Sequence, residues 1–248
     1  MDKRILILAA VLMAVGLCGS PALALDMMGR PSAGLSQGQW GVGVDYTFSD
    51  MDLDLDGKGG TIPNITHPDV QMSKVYANLG YGVMDCWNVF LRGGLARAET
   101  DSIGVTGDIE MGSTEFAWGF GTKATVYEQD PNLVWGGLFQ MSFANESQER
   151  ASSPIMTNQS IEINEMQVAA GPTWTPREGM SLYGGPFYHW VDGSVESMGV
   201  RQYSIDTEKY GVYGGAEFRI NENASFNAEL LYTGDAVAFG ASFLYKCN

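Results

Sequence analysis

From residue 25 onward the chain shows no helical period. Apolar and polar residues instead alternate in runs of roughly ten to fourteen, the period-two signature of strands with two unlike faces. These runs predict strands over 38–49, 71–83, 87–99, 112–126, 133–146, 161–174, 181–194, 206–219, 225–233 and 236–246. In the first, Trp40, Val42, Val44, Tyr46 and Phe48 share one face, and Gly41, Gly43, Asp45 and Thr47 the other. The fourth sets Phe116, Trp118 and Phe120 against Glu115, Gly119, Gly121 and Lys123. The eighth sets Tyr210, Val212 and Phe218 against Lys209, Gly211, Glu217 and Arg219. The seventh is bulky on both faces, with Tyr183, Phe187 and His189 alternating with Pro186, Tyr188 and Trp190, and its orientation stays open.

The connections between runs fall into two alternating classes. Residues 50–70, 100–111, 147–160 and 195–205 are long links, whereas 84–86, 127–132, 175–180 and 221–224 are short. The last link, at Gly234-Asp235, is short where a long one is due. Short turns at one end and long loops at the other are the layout of barrels that cross a bacterial outer membrane. A soluble lipocalin-like barrel would alternate too, but with its apolar face inward. The inside-out arrangement is favoured by the glycine-rich polar face and by Trp40, Trp87, Trp174 and Trp190 near run ends, where interfacial girdles belong. The predicted fold is all-β: a transmembrane antiparallel up-and-down barrel of about ten strands, both termini periplasmic. Because the final hairpin is irregular, counts of about eight or twelve also fit this layout.

The N-terminus adds an export signal. Lys3 and Arg4 precede an apolar run from Ile5 to Leu17, and Ala22-Leu23-Ala24 supplies small residues around a cleavage site. The apolar run is too short to span a bilayer. Lipidation at Cys18 would want a small residue where Leu17 stands. The expected organisation is a cleaved signal peptide over 1–24, a short periplasmic segment over 25–36 and a barrel over 37–248. Composition agrees: 32 glycines, 11% aromatic and only 17% charged residues suit pleated strands better than a helical enzyme. A formal charge of −15 argues against nucleic acid as a partner.

Two short motifs carry a resemblance. Gly240-x-x-Phe243-x-Tyr245 resembles the C-terminal insertion signal of outer-membrane barrels, although Lys246, Cys247 and Asn248 follow the final aromatic. The stretch from Leu79 to Phe90, with its Tyr-Gly strand end, short acidic turn and aromatic strand start, resembles a hairpin of small opacity-type and outer-membrane-protein-A-like barrels. The resemblance implies the cell outer membrane as location. It implies membrane lipid and lipopolysaccharide as surroundings, with the barrel-assembly machinery and periplasmic chaperones as partners in transit. An unidentified surface ligand is left room for, and no catalytic residue carries over.

The residues that could carry chemistry are mostly inward-pointing charges. Asp45, Lys74, Arg92, Glu115, Lys123, Glu165, Glu217, Arg219 and Glu229 fall on the polar faces of their runs. Both signs occur, and buried charge must pair in a narrow lumen. The expectation is a filled barrel with a structural or surface-interaction role and no cofactor. The alternative is a small, weakly selective pore. Asp52, Asp54 and Asp56 before Gly57 have the opening spacing of a calcium loop, but Pro63 stands where a closing Glu is required, leaving a weak surface candidate for a metal. Only His67 and His189 could serve a barrel enzyme of the omptin-like or lipid-hydrolysing kind, with Asp69 near the first and Ser194 and Glu196 near the second. Cys86 and Cys247 share the short-turn end, but ladder spacing separates them by about 10–14 Å, beyond the roughly 7 Å a disulfide spans without bending of the tail.

Overall fold

A computed structural model describes residues 25–57, 65–100, 114–149, 158–197, 200–234 and 236–247; the 1–24 signal segment lies outside them. Ten strands follow in chain order: β1 (Trp40–Gly57), β2 (Ile65–Met84), β3 (Trp87–Thr100), β4 (Thr114–Asp130), β5 (Leu133–Glu149), β6 (Asn158–Arg177), β7 (Met180–Ser197), β8 (Val200–Arg219), β9 (Ala224–Tyr232) and β10 (Ala236–Cys247). Each pairs antiparallel with its neighbours in sequence, and β1 pairs with β10 from Trp40↔Cys247 to Met51↔Ala236, closing the barrel.

The alternation read from the sequence fixes which face is out. Val42, Val44, Tyr46 and Phe48 on β1, Leu91 and Leu95 on β3, and Phe116, Trp118 and Phe120 on β4 are exposed, while their neighbours of opposite parity turn inward. So broad an apolar outer wall exceeds what a soluble monomer presents and fits a lipid-facing belt. Trp40, Trp87, Trp135 and Trp174 stand within a few residues of the short-turn end and are all exposed, forming a girdle there. On β7, Tyr183, Phe187, His189 and Val191 are buried inward. Tyr188 and Trp190 therefore lie on the outside, where Tyr188 packs against Tyr210 with ring centroids 5.2 Å apart.

The strands are longer than predicted. β2, β6 and β8 run to 20 residues each, where about ten cross a membrane. Their outer ends extend past the runs read from the sequence. Asp52, Asp54 and Asp56, expected in a loop, thus lie within β1. The side chains of these three, like those of His67 and Glu196, lie outside the described residues.

The irregular last link has a consequence for closure. β9 and β10 are only 9 and 12 residues long and meet in a tight turn, with the Thr233 N–H donating to the Ala236 carbonyl at 2.9 Å. Above that stub, β1 reaches across to β8 and pairs at Asp56↔Ser204 and Gly57↔Tyr203. The other short turns are tight as well; Gly179 adopts φ +81° between β6 and β7, a conformation that favours glycine.

Candidate functional site

The segment 25–36 is not a periplasmic tail. It folds up into the barrel, and the reason is electrostatic. Lys74 on β2 and Arg92 on β3 are buried on the inner wall and both reach Asp26: Lys74 Nζ at 3.1 Å from Oδ1, and Arg92 through a close ion pair to Oδ2. The Arg92 guanidinium also sits 4.7 Å from the centre of the Tyr76 ring. Lys74 has a second acid, Glu165 on β6, at 2.5 Å, and the other oxygen of Glu165 lies 3.6 Å from His189 Nε2 on β7. Burying two cations is tolerable only with carboxylates in contact. The wall supplies one of those here, and the N-terminal segment supplies the other.

Main-chain contacts hold the rest of the segment. Glu229 on β9 accepts hydrogen bonds from the Met28 and Gly29 N–H groups, both at 2.8 Å. Gly29 takes φ +69° at this point, so consecutive amides converge on one carboxylate. The Met27 N–H donates to Thr47 Oγ1 on β1 at 3.2 Å, and the Met27 carbonyl accepts from Gln140 Nε2 on β5 at 3.3 Å. Arg30 pairs with Glu217 on β8 at 3.4 Å. Ser32 meets Thr173 on β6 at 3.0 Å, and the Ala33 N–H donates to Thr125 on β4 at 3.1 Å. Asn88 on β3 accepts from Gly34 and Leu35 and donates to the Leu35 carbonyl. At the short-turn end Gln37 donates to Asp85 at 2.9 Å, and Gly38 and Gln39 exchange main-chain bonds with Gly82 before β1 begins.

The wall makes room for this segment with glycine. A Cβ on Gly82 would fall 1.9 Å from the Ser36 carbonyl oxygen, and one on Gly136 would meet the Pro31 backbone at 2.7 Å. Gly240, the glycine of the C-terminal motif, faces inward against the Met27 side chain, while Phe243 and Tyr245 face outward. A cavity of about 130 Å³ remains beside the segment, lined by Met27 to Arg30 together with Asp45, Arg92 and Lys123 among others. That is room for several waters.

Placed against this geometry, the nine charges singled out in the sequence divide. Lys74, Arg92 and Glu165 form one cluster around Asp26, and Glu217 and Glu229 each hold a different part of the segment. Asp45 and Lys123 are half-buried and line the cavity, with Lys123 Nζ 5.6 Å from the Phe90 ring centre. Glu115 is half-buried near the outer end of β4. Arg219 is exposed at the end of β8 beside the short turn, so it stands outside the inner network. Sequence reasoning missed Asp26 and Arg30; it put Gln140 on the polar face of its run without singling it out, and did not single out Gln167, to which Gln140 hydrogen-bonds on the inner wall. His189 points into the lumen, and Ser194 on the same strand is buried. Cys86 and Cys247 are free thiols. Among the described residues no group of three or more His, Cys, Asp or Glu side chains could hold a metal ion.

A family model described as outer membrane protein beta-barrel domain matches residues 110–238, just over half of the chain. A search of curated protein sequences returns no match. Among solved structures, the chain is similar to an outer membrane channel from Pseudomonas putida F1, at 11% identity over 90% of this chain and 100% of that one, with a TM-score of 0.48. It is similar to the translocator domain of the autotransporter NalP from Neisseria meningitidis, at 10% identity over 100% and 95% of the two chains, TM-score 0.47. It is also similar to Ail, the attachment invasion locus protein of Yersinia pestis, at 14% identity over 85% and 99%, TM-score 0.33.

Proposed function

The chain belongs to the outer membrane protein β-barrel family, and from that premise we propose a non-enzymatic barrel whose lumen is held closed by residues 25–36 and whose outer hairpins serve a structural or surface-interaction role. One observation carries the closure. Through hydrogen bonds and ion pairs the segment engages β1, β2, β3, β4, β5, β6, β8 and β9, around nearly the whole circumference. A ten-stranded barrel is narrow, between small barrels filled by side chains and porins with open channels. A peptide crossing that width and bonded on all sides leaves little path for ions. The outer halves of β2, β6 and β8, which rise past the apolar belt, are the part of the molecule presented to the exterior. Membrane lipid and lipopolysaccharide surround the wall on this reading, and the barrel-assembly machinery and periplasmic chaperones handle the chain in transit.

Planar-bilayer recording tests the closure. Purified full-length protein, reconstituted at densities that give insertion, is expected to leave the bilayer electrically silent near neutral pH. Discrete, reproducible single-channel openings in a majority of insertions would refute it and favour the small-pore alternative.

A further inference from the structure

We infer that the lumen is a binding site for a short acidic peptide, and that the chain's own Leu25 to Gly29 is its resident occupant. This goes beyond closure, because it assigns the wall a recognition chemistry that a ligand from outside can also satisfy. The contacts made to residues 26–29 divide into one that reads a side chain and several that read only main chain. Lys74 and Arg92 take the carboxylate of Asp26. Thr47, Gln140 and Glu229 take the Met27 N–H, the Met27 carbonyl, and the Met28 and Gly29 N–H groups. A short peptide with an acidic residue, two others and then a glycine free to take the φ of +69° seen at Gly29 offers the same set.

The wall has this preference whoever fills it. Of the two buried cations, Glu165 contacts Lys74, and the ion pair of Arg92 is made to Asp26. With Asp26 withdrawn, Arg92 loses the carboxylate that touches it and Lys74 keeps only Glu165, so the place of contact is open to another acid. Asp45 lines the adjoining cavity and contributes at longer range. A neutral peptide would leave Arg92 without a carboxylate in contact. The resident segment is continuous with β1 through residues 37–39, so it competes as a tethered ligand at high effective concentration. Apparent affinity for an added peptide is therefore low until that competitor is weakened.

The test uses the full-length barrel in detergent micelles and two end-blocked fluorescent peptides, Leu-Asp-Met-Met-Gly and its Leu-Asn-Met-Met-Gly counterpart. An Asp26→Ala barrel is expected to bind the Asp peptide about tenfold or more tightly than it binds the Asn peptide, the loss expected for one charged contact. It should also bind the Asp peptide more tightly than the wild-type barrel does. Adding Lys74→Gln should erase the discrimination between peptides. Equal binding of the two peptides, or no saturable binding of either, overturns the inference. Should Asp26→Ala fail to fold, as judged by loss of heat-modifiable gel mobility, the wild-type barrel decides by amide hydrogen exchange. Excess Asp peptide is then expected to accelerate exchange at Met28 and Gly29 severalfold while the Asn peptide does not. Exchange unchanged by both peptides, or accelerated equally, overturns it. A failure of closure itself registers separately, as conductance of the wild-type protein.

Discussion

Lys74 and Arg92 are buried cations of the inner wall, and Asp26 pairs with both from a segment outside that wall. Removing one partner of a buried pair leaves the other charge uncompensated, at a cost of about 3–5 kcal/mol. Arg92→Leu should therefore destabilise the folded barrel by about that much, read from the midpoint of thermal or urea unfolding on unboiled gels. Combining it with Asp26→Leu should cost clearly less than the sum of the two single changes, because the double variant leaves neither charge of that pair stranded. Full additivity would mean the contact is not energetically coupled. The wall half of this arrangement was legible in the sequence, since period two alone puts Lys74, Arg92, Glu165, Glu217 and Glu229 on inner faces. Asp26 was not. It lies in a stretch too short and too irregular to have a period, so nothing local distinguishes an acid that enters the barrel from one that trails in the periplasm. Arg219 shows the opposite error: its parity is inward, but it stands at a strand end where inward and outward both lead to solvent.

At the scale of elements, strand number and order follow from the turns. Short links of the 84–86 and 175–180 kind leave no choice but antiparallel neighbours, and the ladder runs in that order all the way round. Strand length was less legible, because the sequence of the outer strand ends lacks the apolar-polar alternation that marks a membrane crossing. The twelve residues 25–36 behave as an eleventh element without regular structure, and the strands are adapted to it by residues they lack rather than residues they have. Gly136 is the cleanest example, with a Cβ there meeting Pro31 backbone at 2.7 Å. Gly136→Val is expected to leave the barrel closed and heat-modifiable while loosening the segment around Pro31 to Ser32, so that amide exchange over residues 30–36 quickens severalfold. Unchanged protection in that variant would mean the segment and wall adjust freely, and that the glycine is there for the curvature of the strand instead.

For the whole molecule, the outer surface and the lumen make separate demands on one alternating pattern. The outer face needs apolar side chains and an aromatic girdle, and these were readable because lipid selects strongly by type. The inner face needs only to fill a narrow space with matched charge, and many sequences do that equally well. Its partner set depends on which segment enters, a fact of tertiary structure. The central claim is that residues 25–36 lie inside the closed barrel, and chemical accessibility tests it most directly. Ser32 is buried against Thr173, so a Ser32→Cys variant in a Cys18→Ser, Cys86→Ser, Cys247→Ser background leaves one thiol, placed within the proposed closure. With a membrane-impermeant maleimide, that thiol is predicted to stay unlabelled in the folded, unboiled barrel and to label fully once the barrel is heat-unfolded. Rapid stoichiometric labelling of the folded form would contradict the account.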